Sequence, residues 1–352
     1  MLNKSALAER VGVRPLTITR WESHQSEPTA ENIDALAKEL RYPKEFFFAR
    51  DIDEPLDALT SFRSQTSMTA ATRDAALAAG AIGFLILDWV SERFNLPVDH
   101  LPDLRSYGEE GPEVAARVLR QEWGLGEAPI SNMVHLLESK GVRVFSLAQN
   151  TKAVDAYSVR RHDGTPCVFL NTFKSAERSR FDAAHELAHL ILHQDGSVTG
   201  RSAEDQANAF ASAFLMPKSD VLSVLPRIQH LGELIAAKAR WRVSLTALTY
   251  RAHKLGIISD WKYRDFYIEI STKGYNREEP MESEREKSVV WDKVLKALWA
   301  EKTTQDDIAR ALDVPTDEVA DLLFGMLNTG IPVTNKASSK RFSVIQGHIP
   351  PG

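Results

Sequence analysis

Phe181-Asp-Ala-Ala-His-Glu-Leu-Ala-His-Leu-Ile-Leu-His193 is the stretch on which the fold and chemistry of this chain turn. Its unbroken apolar setting predicts a helix, and within it His185 and His189 stand four residues apart. On a helix that spacing rotates one side chain from the other by only about 40° and separates them by one turn, so both imidazoles reach one ion. Glu186, beside the first histidine, reaches a metal-bound water. A zinc ion with catalytic duty takes three protein ligands and leaves one position open, so a third ligand has to be found. His193 continues the series, but a straight helix puts it about 12 Å along the axis from His185, too far for convergence. Glu204 opens the next predicted helix, Ser202 to Met216, with Ser202 as its expected N-cap, and folding that helix back antiparallel brings its carboxylate to the ion. The expected ligands are therefore His185, His189 and Glu204, with Glu186 as general base for hydrolysis of a peptide bond. Asp182, one turn before His185, and Asn208, one turn after Glu204, are candidates to orient the ligands from behind. The strand Cys167 to Asn171 precedes the metal helix, and an edge there is a candidate for pairing with an extended substrate backbone.

At 352 residues the chain is long enough for two or three domains. A 43% hydrophobic and 26% charged composition is that of soluble globular material. No apolar stretch is read as approaching the roughly 20 residues of a membrane span; the strongest, residues 78–88, is short and ends at a charge. The amino terminus shows no signal core, so the cytoplasm is the expected compartment and no membrane partner is expected. The single cysteine, Cys167, excludes an internal disulfide and a cysteine-based zinc site. A net charge of -5 argues against a protein coated with nucleic acid, though a patch on one module is allowed.

Turn residues and apolar periodicity divide the chain further. Short helices are expected over residues 1–50, a long one from Thr69 to Phe94, a loop from Pro102 to Pro112, and helices over Val114 to Trp123 and Ile130 to Lys140. Three strands follow: Val142 to Ser146, half-buried by its alternation, then Ala156 to Arg160 and Cys167 to Asn171, joined by the hairpin signal Asp163-Gly164-Thr-Pro166. Helices dominate from Ala176 to Ile258, Asn276 to Glu286 has the charge of a linker, three helices lie beyond Val289, and the tail from Gly330 is expected to be loose or to make one short strand. The last two of those helices have helix-turn-helix spacing, but Asp317, Glu318 and Asp321 make the second acidic, which suits a structural or interaction role better than phosphate contact.

Arg178 to His193, followed by Glu204-Asp-Gln-Ala-Asn-Ala-Phe-Ala-Ser-Ala-Phe-Leu-Met-Pro217, resembles the ImmA/IrrE family of bacterial metallopeptidases. Leu119 to Gly126, Leu136 to Gly141, Asp155-Ala-Tyr-Ser158, Val243-Ser244 and Tyr250-Arg251 match in order, so the resemblance spans about residues 107–262. It implies zinc held by His185, His189 and Glu204, Glu186 as base, and limited cleavage of a regulatory protein, typically a DNA-binding repressor. Leu7-Ala-Glu-Arg-Val-Gly-Val13, Thr17-Ile-Thr-Arg-Trp-Glu22 and Pro28 resemble the XRE/Cro-type helix-turn-helix. That implies Arg14, Thr17, Thr19 and Arg20 facing DNA, over a core of Leu7, Val11, Val13, Ile18 and Trp21. The sequence departs from that type in lacking the usual first helix and in placing His24 where a glycine is usual. Eight basic against seven acidic residues in the first 50 make the electrostatic pull on DNA modest, and a protein-binding module of the same fold is the alternative.

The expected fold is thus α+β and mostly helical. It comprises a helix-turn-helix bundle over 1–50, a helical connector over 51–106, a zincin-like peptidase domain with a small sheet over 107–265, a linker over 266–286 and a C-terminal helical subdomain over 287–352. The expected activity is zinc-dependent endopeptidase action on a repressor or antitoxin-like protein, with DNA and a second copy of the chain as further partners. The alternative is a non-enzymatic DNA-binding regulator whose metal domain is structural or sensory.

Overall fold

The computed structural model describes residues 3–49, 52–55, 61–62, 69–147, 154–194 and 198–323. The expected tail from Gly330, the last turn of the helix expected to end at Leu327, residues 195–197 and parts of the connector lie outside the described residues. The N-terminal bundle is α1 (Lys4–Val11), α2 (Pro15–Glu22) and α3 (Ala30–Leu40), closed by a short 3-10 turn at Lys44–Phe48. Asn3 caps α1, and Thr29 and Asn32 form a reciprocal capping box on α3. Gly12, at φ 76°, makes the left-handed turn that lets α2 double back on α1. Ala8, Ile18 and Leu36 fill the small core, with Leu7, Val11, Val13 and Trp21 half-buried around it. His24 sits at φ 53°, so the left-handed conformation that favours glycine is kept here by a histidine.

Four strands form one sheet in the order β1-β3-β4-β2, where β1 is Ser61–Phe62, β2 Arg143–Ser146, β3 Ala156–Arg160 and β4 Pro166–Leu170. The hairpin pair β3 and β4 is antiparallel, and β2 runs parallel to β4. β4 is therefore interior and offers no edge to a peptide, contrary to the expectation for Cys167 to Asn171. The outer edge of β3 is paired in turn, Ser61 with Ser158 and Phe62 with Tyr157.

Alternation along the strands sorts side chains into two cores. Val144, Ala156, Val168 and Leu170 face the helices of the peptidase region: α5 (Arg105–Glu110), α6 (Pro112–Glu122), α7 (Met133–Ser139), α8 (Ala176–Leu192), α9 (Gly200–Leu215), α10 (Lys218–Val224), α11 (Leu231–Trp241), α12 (Leu245–Lys254) and α13 (Asp260–Thr272). Phe145, Tyr157, Val159, Cys167 and Phe169 face the other way, into a layer of α4 (Ala70–Ser91), α14 (Val290–Ala300), α15 (Gln305–Ala311) and α16 (Thr316–Leu323). β2, β3 and β4 are thus buried on both faces, where half-burial was expected of Val142 to Ser146. The connector helix and the C-terminal helices share one core across the back of the sheet.

Length and hydropathy alone would let α4 cross a membrane, because the helix runs well beyond the apolar stretch 78–88 at both ends. Ten of its residues are buried in the layer. At Gly83 an added Cβ would stand 3.0 Å from the Phe169 ring, so the missing side chain sets how closely α4 lies on the sheet. A loop was expected where α5 forms. Leu104 is buried and its N–H donates to Ile191 O at 3.0 Å, which fastens this segment to the end of α8 against the loop preference of Gly108 and Gly111.

The segment 266–286, expected as a linker, begins as the second half of α13 and continues as a strap packed on the peptidase region. Glu286 pairs with buried Arg180 and accepts from the N–H groups of Met133 (2.8 Å) and Val134 (3.2 Å). Ser288 bonds Glu138, and Lys238, fully buried, reaches Glu177 at 3.0 Å and Glu279 at 3.4 Å. The charges that suggested solvation are spent on buried pairs.

Candidate metal centre

α8 positions the site. Ser175 caps it by accepting from Arg178 N at 3.2 Å, and Asp155 holds its first turn through Arg178 at 2.5 Å and through Lys174. Its sides are covered by the sheet and by α9, so even Asp182, His185, Glu186 and His189 are buried. α9 starts at Gly200 with Thr199 as N-cap, two residues before the expected start, and Ser202 lies exposed in its first turn. The contacts His185 with Asn208 and His189 with Glu204 run in opposite senses along the two helices, which makes them antiparallel.

His185 Nε2 and His189 Nε2 stand 3.1 Å apart. Glu204 approaches each at 3.4 Å, Oε2 to His185 and Oε1 to His189. Donor atoms bonded tetrahedrally to zinc at 2.0–2.1 Å stand about 3.3 Å from one another. The His–His gap and each histidine–carboxylate approach are near that spacing, and one donor atom from each residue can be chosen with all three within 4.8 Å of one another, so the set fits a divalent ion of this size. Burial pushes the Glu204 carboxyl up, but hydrogen bonds and charge from His185 and His189 outweigh it and bring it down to about 2. The carboxylate is ionised, as a ligand has to be.

Behind the two imidazoles lies a second set of groups. His185 Nδ1–H donates to Asn208 Oδ1 at 3.0 Å, and Asp182 lies buried one turn earlier on α8. Asn208 was expected to orient Glu204 and instead orients a histidine. His193 Nε2–H donates to Gln206 Oε1 at 3.0 Å, which leaves His193 Nδ1 to accept from His189 Nδ1–H at 2.9 Å. With an ion bound, these Nδ1–H bonds would hold both imidazoles in the tautomer whose Nε2 faces the metal. Glu186 is fully buried and accepts from Ser158 Oγ of β3 at 2.7 Å. Ser158, His193 and Gln206 were not read as site residues. The motif Asp155-Ala-Tyr-Ser158 carried a signal for the first, and the i, i+4 series ending at His193 for the second.

In the N-terminal bundle Thr19 and Arg20 are exposed on α2, Arg14 is exposed at its N-cap and Thr17 is half-buried. Thr19 Oγ1 also donates to Pro15 O at 3.3 Å. The bundle touches the C-terminal layer through Tyr42, whose hydroxyl donates to Glu318 at 3.3 Å; burial and that neighbour push the phenol well above its ordinary pKa.

Fold and centre together define a metallopeptidase-type domain behind a helix-turn-helix bundle. Residues 137–253 match the model of the peptidase family Peptidase_M78, described as the IrrE N-terminal-like domain, and residues 1–47 match a helix-turn-helix family model. The first match contains His185, His189 and Glu204, and the second covers the N-terminal bundle. No curated protein matches the chain.

Proposed function

We propose that the protein is a zinc-dependent endopeptidase, with zinc held by His185, His189 and Glu204 and with Glu186 as general base. The observation that carries this reading is the cluster of two imidazole Nε2 atoms 3.1 Å apart, each 3.4 Å from one oxygen of the Glu204 carboxylate, beside a buried glutamate. Zinc bound there supplies Lewis acidity and lowers the pKa of a bound water towards about 7. Glu186 takes a proton from the attacking water on a carboxylate oxygen and returns it to the leaving amine. Ser158 holds that carboxylate in place from β3, so the base is set before substrate arrives. Asn208 and the His193–Gln206 pair keep the imidazoles aimed at the centre.

The substrate class follows from the pairing of modules. A helix-turn-helix bundle joined to a peptidase suits limited cleavage of a transcriptional repressor or antitoxin-like protein in the cytoplasm. The bundle over 1–50, with Arg14 at the N-cap of α2 and Thr17, Thr19 and Arg20 on that helix, delivers the peptidase domain over 107–265 to DNA or to a DNA-bound partner, as one copy or as a homodimer. Glu186→Gln tests the reading: it should keep zinc yet abolish cleavage, and capture the target in pull-down. Unchanged biological activity in that variant would overturn it in favour of a non-enzymatic regulator.

A further inference from the structure

We propose that the cavity adjoining the metal centre is a specificity pocket that receives an aromatic side chain of the substrate polypeptide, close to the bond that is cut; this rests on the peptidase reading above. The cavity measures about 970 Å³ and lies between α8, α9, α12 and α13. Phe181 and Asn208 line its inner end. Phe181 is one turn before His185 on α8, and Asn208, one turn beyond Glu204 on antiparallel α9, bonds the His185 ring at 3.0 Å, so the inner end of the cavity lies against the residues that surround the donor atoms. An extended polypeptide advances about 3.3 Å per residue. A substrate carbonyl at the centre therefore brings a side chain one or two residues away to the mouth of the cavity.

The walls select what enters. Tyr250, Tyr263 and Tyr267 line the outer part, with ring centroids 6.4 Å apart for the first pair and 6.1 Å for the second, tilted at 67° and 44°. Tyr250 and Tyr267 are 42% and 48% exposed, an unusual amount of bare ring surface in a concave site. Lys254 lies over the Tyr250 ring at 5.4 Å and lines the same wall. The exposed surface of Tyr250 and Tyr267 accepts a further ring edge-to-face or offset-stacked, and an entering aromatic group covers surface that is otherwise wet.

A set of peptides from a captured substrate, each carrying Phe, Tyr or Ala at one position within two residues of the cleaved bond, tests this. Two readouts are used: cleavage by the wild-type protein and fluorescence anisotropy of binding to Glu186→Gln protein. At one position the aromatic peptides should exceed the alanine peptide by about 10-fold in both, on the scale of an aromatic pair with its buried area. Tyr250→Ala with Tyr267→Ala should bring that ratio towards one, while Tyr250→Phe with Tyr267→Phe keeps it, with thermal melting as the check on folding. Equal treatment of aromatic and alanine peptides at every position, or a ratio unmoved by the double alanine variant, would overturn the pocket and leave the peptidase reading standing. Aromatic-selective binding without cleavage by wild-type protein would keep the pocket and remove that reading.

Discussion

Replacing Glu286 by alanine is the perturbation whose cost the structure lets one work out most fully. Arg180 is 2% exposed, and its guanidinium donates to Trp241 O at 3.1 Å, to Ile130 O at 2.5 Å and to Glu286. Glu286 also accepts from Met133 N and Val134 N, the first two residues of α7. Its loss leaves a buried cation with carbonyl partners but no counter-charge, which costs about 3–5 kcal/mol when a buried pair is broken on one side. Two helix-start N–H groups lose their acceptor as well, each worth roughly 1–3 kcal/mol if water cannot replace it. These costs overlap, so the expected loss is about 4 kcal/mol, a large part of a typical domain's stability. Urea unfolding followed by circular dichroism measures it, and Arg180→Met with Glu286→Leu should recover much of the loss by removing both charges. A loss below about 1 kcal/mol would refute the reasoning and make the strap a loose tether after all.

His193→Ala should weaken zinc binding about 10- to 100-fold by releasing His189 from its orienting bond, as read by competition with a chromogenic chelator; unchanged affinity would show that His193 only ends the helix. Hydrogen bonds from Arg240, against the upward push of burial, together with Trp241 hold the Asp220 carboxyl below its usual 3.8. A depressed carboxylate gives stability that is present above the unfolded value and lost as pH falls through the lower folded one. Asp220→Asn should therefore flatten the acid limb of stability against pH below about 4, and an unchanged limb would contradict the assignment. Arg14→Ala with Arg20→Ala should lower the salt dependence of any DNA binding by about two counterions if both meet phosphate, measured as affinity against salt concentration.

How much was legible depended on whether a local pattern or a distant partner decided each element. The i, i+4 histidines and the apolar run around them are local, and α8 forms over that run. Glu204 was within reach because a short turn between two helices leaves them one arrangement, antiparallel. Asn208, His193 and Gln206 depend on the rotation of α9 against α8, which periodicity does not fix, so Asn208 was given to the wrong neighbour. Ser158 meets Glu186 across the sheet-to-helix contact, a pairing invisible to any local window. α5 forms because buried Leu104 is tied to Ile191, a tertiary bond that overrides two glycines. The strap was misread because Glu279 and Glu286 look the same in sequence whether they face water or Lys238 and Arg180. The back of the sheet was misread for a related reason: α4 and α14 to α16, far apart in the chain, join in one core.

Zinc content of protein purified without added metal tests the central claim most directly. Wild-type protein and Glu186→Gln should each carry about one zinc per chain, and Glu204→Ala should lose nearly all of it. Wild-type protein free of metal, or Glu204→Ala retaining its full zinc, would contradict a catalytic centre built on His185, His189 and Glu204.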